Sequence, residues 1–391
     1  MRAVLRAMSA CCLVALSACA MLPNSGPSTN DIANKSGTAT IAQYEVVDLD
    51  PNVVRILRGQ NLESFEDRFG DYRPSEEPKI GIGDSVSVII WEASPGGLFS
   101  SAFSSDTDRV PAGSKATAIP EQVVGRDGSI TVPYAGRVRV VGQTTRAVQS
   151  VIERALKGKA IQPQALVNVT HAVSTSVTVT GEVVNGARVP LSVRGDRIMD
   201  VIAEAGGVRA PVNETYVQLL RGAVSVRVPL SRVASDSHEN IYLRPDDVLT
   251  LIHDPQTFIA YGATGKNDEI PFDAEGITLA QALAKSGGLI DTRSDASGIF
   301  VVRYERANVV RILRAGLPLP PSNSLVPIVY RLNLKDPNSL FAMQSFQLRN
   351  RDLLYVSNAP LTDVQKVMGV VSGSMQPGLS AASVCVEAGC R

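Results

Sequence analysis

Val189-Pro-Leu-Ser-Val-Arg-Gly-Asp-Arg-Ile-Met-Asp-Val-Ile-Ala-Glu-Ala-Gly-Gly-Val208 lines up without a gap on Ile270-Pro-Phe-Asp-Ala-Glu-Gly-Ile-Thr-Leu-Ala-Gln-Ala-Leu-Ala-Lys-Ser-Gly-Gly-Leu289. Gly181 and Gly262 precede the two copies at the same offset. Self-similarity at this scale marks a repeated structural unit. Each copy reads as a strand ending in Pro, a turn Gly and a short helix. The helix is expected to bury Ile198, Val201, Ile202 and Ala205 in the first copy and Leu279, Ala282, Leu283 and Ser286 in the second. A Gly-Gly pair then supplies the left-handed cap that side chains resist.

Both copies also close alike. Leu243-Arg-Pro-Asp-Asp-Val-Leu-Thr-Leu-Ile-His-Asp-Pro255 matches Leu348-Arg-Asn-Arg-Asp-Leu-Leu-Tyr-Val-Ser-Asn-Ala-Pro360, a polar turn feeding an apolar strand. Ile82-Gly-Asp84 before Val86 to Trp91 echoes that ending. The shared position of Asp84, Asp247 and Asp352 predicts that each carboxylate bonds backbone N–H groups in its turn. Outward from the repeat, the chain is strand-rich and predicts an α+β fold. Thr144 or Thr145 is placed to cap a helix whose pairs Ala147/Val148, Val151/Ile152 and Ala155/Leu156 recur every four residues. A Ser/Gly/Pro-rich stretch over 94–120 reads as a long mobile loop.

The N-terminus reads as a lipoprotein leader. Arg2 and Arg6 precede an apolar run, Ala7 to Leu16, far short of the roughly 20 residues that span a bilayer. Leu16-Ser-Ala-Cys19 closes it as a lipobox, with cleavage between Ala18 and Cys19 and acylation of Cys19. The alternative is an ordinary secretory cut after Ala18. Ala20, not an acid, follows the cysteine and favours the outer membrane. Residues 20–30 are a Pro/Gly/Ser tether.

Of five cysteines, only Cys385 and Cys390 remain after lipidation and cleavage. They either pair locally or stay free. The 38 basic and 38 acidic residues cancel, which argues against nucleic acid, since that needs a basic face. Aromatic residues at 5% argue against a broad sugar-stacking platform.

Catalytic signatures are missing. Gly81-Ile-Gly83 fails as a dinucleotide motif because Val86 stands where the third glycine belongs. No G-x-S-x-G occurs. His171, His238 and His253 lack metal-type spacing; His253 reads as a surface turn at a strand end. No metal and no cofactor are expected.

From Leu361 to Met375, Val364, Val367, Met368, Val370 and Val371 form an apolar stripe, with Thr362 or Asp363 as N-cap. Gly369 and Gly373 stand four apart, a spacing that lets helices approach closely. At about 22 Å the helix is too short to cross a membrane alone. It either joins a ring of copies or docks on its own domain.

Three stretches now resemble a known family. Lys79-Ile-Gly-Ile-Gly-Asp-Ser-Val-Ser-Val-Ile-Ile-Trp91, Pro111-Ala-Gly113 and Arg126-Asp-Gly-Ser-Ile-Thr-Val-Pro-Tyr-Ala-Gly-Arg-Val138 resemble the polysaccharide export domain. Pro163-Gln-Ala-Leu-Val-Asn-Val169 and Val177-Thr-Val-Thr-Gly-Glu-Val183 resemble its passage into a β-grasp repeat. The duplicated module resembles the soluble-ligand-binding β-grasp (SLBB) domain.

With the leader, the whole resembles the Wza-type exporters of capsular polysaccharide. Leu22-Pro-Asn-Ser-Gly-Pro-Ser28 is similar to the subgroup paired with ABC-type capsule transporters. The resemblance implies a signal peptide over 1–18, a lead segment over 19–78 and a polysaccharide export domain over 79–175. SLBB domains over 176–256 and 257–358 and a C-terminal amphipathic helix over 359–391 follow. It implies a lipid-anchored homo-oligomeric ring, commonly of eight subunits, at the outer membrane with its bulk in the periplasm. A C-terminal helical barrel would cross the membrane, and an inner-membrane copolymerase and transporter would deliver the polymer. The break at Pro377 departs from that barrel. A lipid-anchored glycan- or ligand-binding module without a pore is the competing expectation; an enzyme is a third, which no constellation favours.

Overall fold

The computed structural model describes residues 26–34, 44–59, 63–70, 73–74, 77–93, 98, 115–314, 321 and 324–359. The chain divides into two compact units, residues 63–254 and residues 1–62 with 255–391. Three early elements, α1 (Thr29–Asn34), β1 (Glu45–Asp48) and α2 (Pro51–Arg58), belong to the discontinuous unit.

The continuous unit starts with α3 (Phe65–Phe69), β2 (Ser85–Glu92), β3 (Lys115–Val123), β4 (Ser129–Val132), β5 (Gly136–Arg139), α4 (Thr145–Leu156) and β6 (Gln164–His171). β2 is the centre of an antiparallel sheet between β3 and β6. Its alternation buries Val86, Val88 and Ile90 against α4 residues Val148, Ile152 and Leu156, the period-2 and four-residue patterns of a half-covered sheet under a helix. The Thr144 hydroxyl caps the helix by accepting the Ala147 N–H at 3.3 Å. Residues 115–120, expected from sequence as the end of a loop, are strand: Lys115 to Ile119 pair with Glu92 back to Val88.

Next come β7 (Ser176–Gly181), β8 (Ala187–Pro190), α5 (Ile198–Glu204), β9 (Thr215–Arg221), β10 (Val224–Pro229), α6 (Leu230–Ser235) and β11 (Val248–His253). Their sheet order is β10-β9-β11-β7-β8.

The discontinuous unit adds β12 (Gln256–Gly262), β13 (Asp268–Phe272), β14 (Ile277–Thr278), α7 (Leu279–Lys285), β15 (Ser294–Arg306), α8 (Ala307–Leu313), β16 (Leu325–Leu332), α9 (Asn338–Ser345), β17 (Gln347–Leu348) and β18 (Asp352–Asn358). Its sheet runs β1-β16-β15-β18-β12-β13. Apart from β1 this is the order of the first repeat, element for element. In both, the first and last strands of the repeat pair in parallel, β7 with β11 and β12 with β18. The fold is therefore α+β with a duplicated five-stranded module.

The aligned residues do the same work twice. Ile198, Val201, Ile202 and Ala205 are buried in one copy, and Leu279, Ala282, Leu283 and Ser286 in the other. Gly206, Gly207, Gly287 and Gly288 all have positive φ, as a Gly-Gly helix stop requires. Gly181 and Gly262 sit where a β-carbon would collide with the backbone carbonyls of Leu251 and Val356.

Candidate functional site

The predicted turn aspartates fold as expected. Asp84, Asp247 and Asp352 accept the N–H of Gly81, Arg244 and Arg349, each three residues earlier, at 2.7–2.8 Å. Asp84 also takes the N–H groups of Val173 and Ser174 and the Ser174 hydroxyl. Its carboxylate thereby ties the start of β2 to the entry of the first repeat.

In the repeats each aspartate has a second partner that the sequence conceals. Asp247 holds Arg221 of β9, with Nε at 2.9 Å, and Asp352 holds Arg303 of β15, with Nε at 3.0 Å. Each guanidinium also donates at 3.0 Å to a carbonyl, of Tyr242 and Gln347 respectively. The separations of 26 and 49 residues differ because the second copy inserts α8 and the stretch to Ser324 between its outer strands. An ungapped alignment therefore cannot pair the arginines.

The second cluster is the more enclosed. Arg303, Glu305 and Asp352 are all almost fully buried, and Arg349 reaches Glu305 at 2.8 Å. Burial opposes the Arg303 charge, yet Asp352 and Glu305 outweigh it and raise its pKa. Burial and the Glu305 carboxylate push the Tyr330 hydroxyl far above its usual value, so it stays a donor to Glu305.

These are structural locks. Among the described residues, no group of three or more His, Cys, Asp or Glu could hold a metal ion. His253 ends β11 beside Glu214, at 2.8 Å, and is partly exposed.

The lead segment is where the discontinuous unit departs from its sister repeat. β1 adds in parallel to β16, pairing Glu45 to Asp48 with Ile328 to Arg331. It covers an edge that would otherwise offer unpaired backbone groups. α2 follows, its N-terminus capped by Asp50 accepting Val53 N–H at 2.7 Å, and buries Val54 and Leu57.

On the sheet's outer face, Phe300, Val329 and Tyr355 form a small second core with Ile32 and Tyr44. A polar clasp closes it. The Thr29 hydroxyl donates to Asp295 at 2.7 Å and lies 2.8 Å from the Ser357 hydroxyl. Tyr355 donates to the Pro27 carbonyl at 2.8 Å. Burial would raise the Asp295 pKa, but bonds from Ser297 and Thr29 and the charge of Lys335 hold it below the usual value. Residues 27–29 are thus pinned to β15 and β18.

The residues singled out from sequence for lipidation and membrane contact lie outside the described residues. They are Ala18, Cys19, Val364, Val367, Met368, Val371, Gly369 and Gly373. No helix among the described residues is long and apolar enough to cross a membrane. Sequence reasoning missed the clasp, because Thr29, Asp295 and Ser357 carry no local motif and meet only through the fold.

Family comparison matches residues 73–170 to the model described as "Polysaccharide biosynthesis/export protein", and residues 176–229 and 256–356 to SLBB domain models. The chain is 38% identical over 374 residues to the capsule polysaccharide export outer membrane protein CtrA of Neisseria meningitidis serogroup A, covering 94% of this chain and 95% of that one. It is 35% identical to the capsule polysaccharide export protein BexD of Haemophilus influenzae, over 95% and 96% of the two chains. A more distant relative is the Vi polysaccharide export protein VexA/TviF of Salmonella typhi, 27% identical over 66% of this chain and 69% of its own.

Proposed function

Because the chain belongs to the family of capsule polysaccharide export outer membrane proteins, we propose that it forms a lipid-anchored homo-oligomeric ring that conducts capsular polysaccharide across the outer membrane. The family is one of polysaccharide export, and its place is the outer membrane. The partners are other copies of the chain, the polymer, outer-membrane lipid, and an inner-membrane copolymerase with its ABC-type transporter.

The clasp is the observation that carries this reading. Cys19 lies ten residues before Thr29, and Leu361 four after Ser357. Extended chain keeps them within about 35 Å and about 14 Å of the clasp, respectively. Thr29 and Ser357, which meet on one unit, are thus each a short stretch of chain from the proposed acylated Cys19 and the proposed amphipathic helix. That supports a single membrane-facing pole. Several acyl chains at Cys19 would anchor it firmly. The helix, too short to span alone, would cross as one stave of a ring with Val364, Val367, Met368 and Val371 toward lipid. Gly369 and Gly373 would let neighbouring staves approach.

Removing residues 361–391 tests this. The expected result is polysaccharide retained in the periplasm and no capsule at the surface. Unimpaired surface capsule would refute the membrane role of the segment.

A further inference from the structure

An exact heptapeptide recurs in the discontinuous unit. Asn52-Val-Val-Arg-Ile-Leu-Arg58 in α2 is repeated as Asn308-Val-Val-Arg-Ile-Leu-Arg314 along α8. The two helices pack on each other and turn the same positions into one core: Val53, Val54 and Leu57 in α2, Val309, Val310 and Leu313 in α8. Arg55, Arg58, Arg311 and Arg314 stay exposed. Arg314 donates to the Val46 carbonyl at 2.9 Å, which sets the arginine face beside β1, one edge of the sheet. The carboxylates near it are Glu45, Asp48, which holds Arg331, and Asp50, which caps α2. Neither helix contains an acid, and neither does the chain adjoining them in sequence, residues 35–43, 60–62 and 315–323.

The other edge of the same sheet is β13, five strand spacings from β1, or about 24 Å. Asp268 and Glu269 on β13, and Asp273 and Glu275 in the turn after it, are all exposed. Lys266 pairs with Asp268 at 2.6 Å, and Lys285 donates to the Pro271 carbonyl at 2.7 Å. Four carboxylates thus stand against two ammonium groups.

The module does not require this charge. The aligned residues of the first copy are Ala187, Arg188, Ser192 and Arg194. They flank Val189, buried as Ile270 is buried in the second copy. The core is common to both copies, and the edge charge is reversed. The arginine face likewise belongs to elements that the first copy lacks, the lead segment and the inserted α8. Both charges are therefore surface choices particular to this unit.

Each face repels its own kind, so neither suits a two-fold contact with itself. A basic face and an acidic edge on opposite sides of one unit suit a head-to-tail contact, the type that closes into rings. We propose that the α2–α8 arginine face of one copy of the chain docks on the β13 edge of the next. This rests on the ring reading above and names its contact.

Sedimentation velocity of the full chain in mild detergent, across a range of concentrations, tests it. Arg55→Glu with Arg311→Glu should raise the concentration at which half the chains are assembled about tenfold to a hundredfold. Glu269→Lys with Glu275→Lys should do the same. The four substitutions together restore opposite charges across the contact and should return assembly to within about threefold of the wild type. That recovery also separates a lost contact from a lost fold. The proposal is overturned if either double variant assembles within about threefold of the wild type, or if the fourfold variant fails to recover. Rings intact in both double variants would place the contact elsewhere and leave the ring reading standing. A wild-type chain that never assembles would remove both.

Discussion

Replacing Arg303 with methionine keeps most of the side chain's length and removes its charge from the most enclosed ionic cluster of the described structure. Arg303 is 4% exposed, Asp352 2% and Glu305 1%. Its guanidinium bonds both carboxylates and the Gln347 carbonyl, and lies 5.0 Å from the Phe346 ring centroid. The variant leaves two buried carboxylates facing one remaining cation, Arg349, which is 33% exposed. Breaking a buried pair from one side costs about 3–5 kcal/mol.

The equivalent Arg221→Met is the internal control. Arg221 is 16% exposed beside Asp247, so water reaches that site, and the cost should be about half. For a unit of this size, Arg303→Met should lower its melting temperature by roughly 10 °C. Scanning calorimetry of the full chain in detergent, resolving the two units, is the assay. A loss under about 1 kcal/mol for Arg303→Met would refute the view of these pairs as the locks of the repeat. So would a larger loss for Arg221→Met.

Gly262→Ala must find room against the Val356 carbonyl at φ +103°, and should cost about 2–3 kcal/mol in urea unfolding; a neutral variant would show that β12 and β18 can separate there. Thr29→Ala removes the hydroxyl shared by Asp295 and Ser357, and should speed proteolysis between residues 26 and 44 without moving the main melting transition. Asp295 titrates below the usual value in the folded chain, so its contribution is complete above the unfolded value of about 4 and fades as pH falls through the folded one. Hydrogen exchange at residues 29–34 should therefore quicken below about pH 4 in the wild type, beyond the change seen in Asp295→Asn; equal profiles would contradict the clasp's dependence on that carboxylate.

The repeat was legible because its marks are local. Gly-Gly stops, a Pro in the second strand and helix faces at four-residue spacing need no knowledge of distant chain. The turn aspartates were legible for the same reason, since each bonds an N–H three residues away. What stayed hidden depends on long-range pairing. Four residues, Glu45 to Asp48, are too few for a strand signal, yet they complete a sheet by pairing with β16, nearly 300 residues later. Arg221 and Arg303 are unremarkable in sequence until an aspartate strand is laid beside them. The first half of β3 hides in the sequence because Lys115-Ala-Thr-Ala-Ile-Pro120 follows a Ser/Gly/Pro-rich stretch, and its pairing with β2 overrides that composition.

Electron microscopy of the full chain, extracted from outer membranes in mild detergent, tests the central claim most directly. The account predicts closed rings, with Cys19→Ala lowering their yield as well as membrane attachment. Monomers at every concentration would contradict it, leaving a lipid-anchored binding module in place of a translocon.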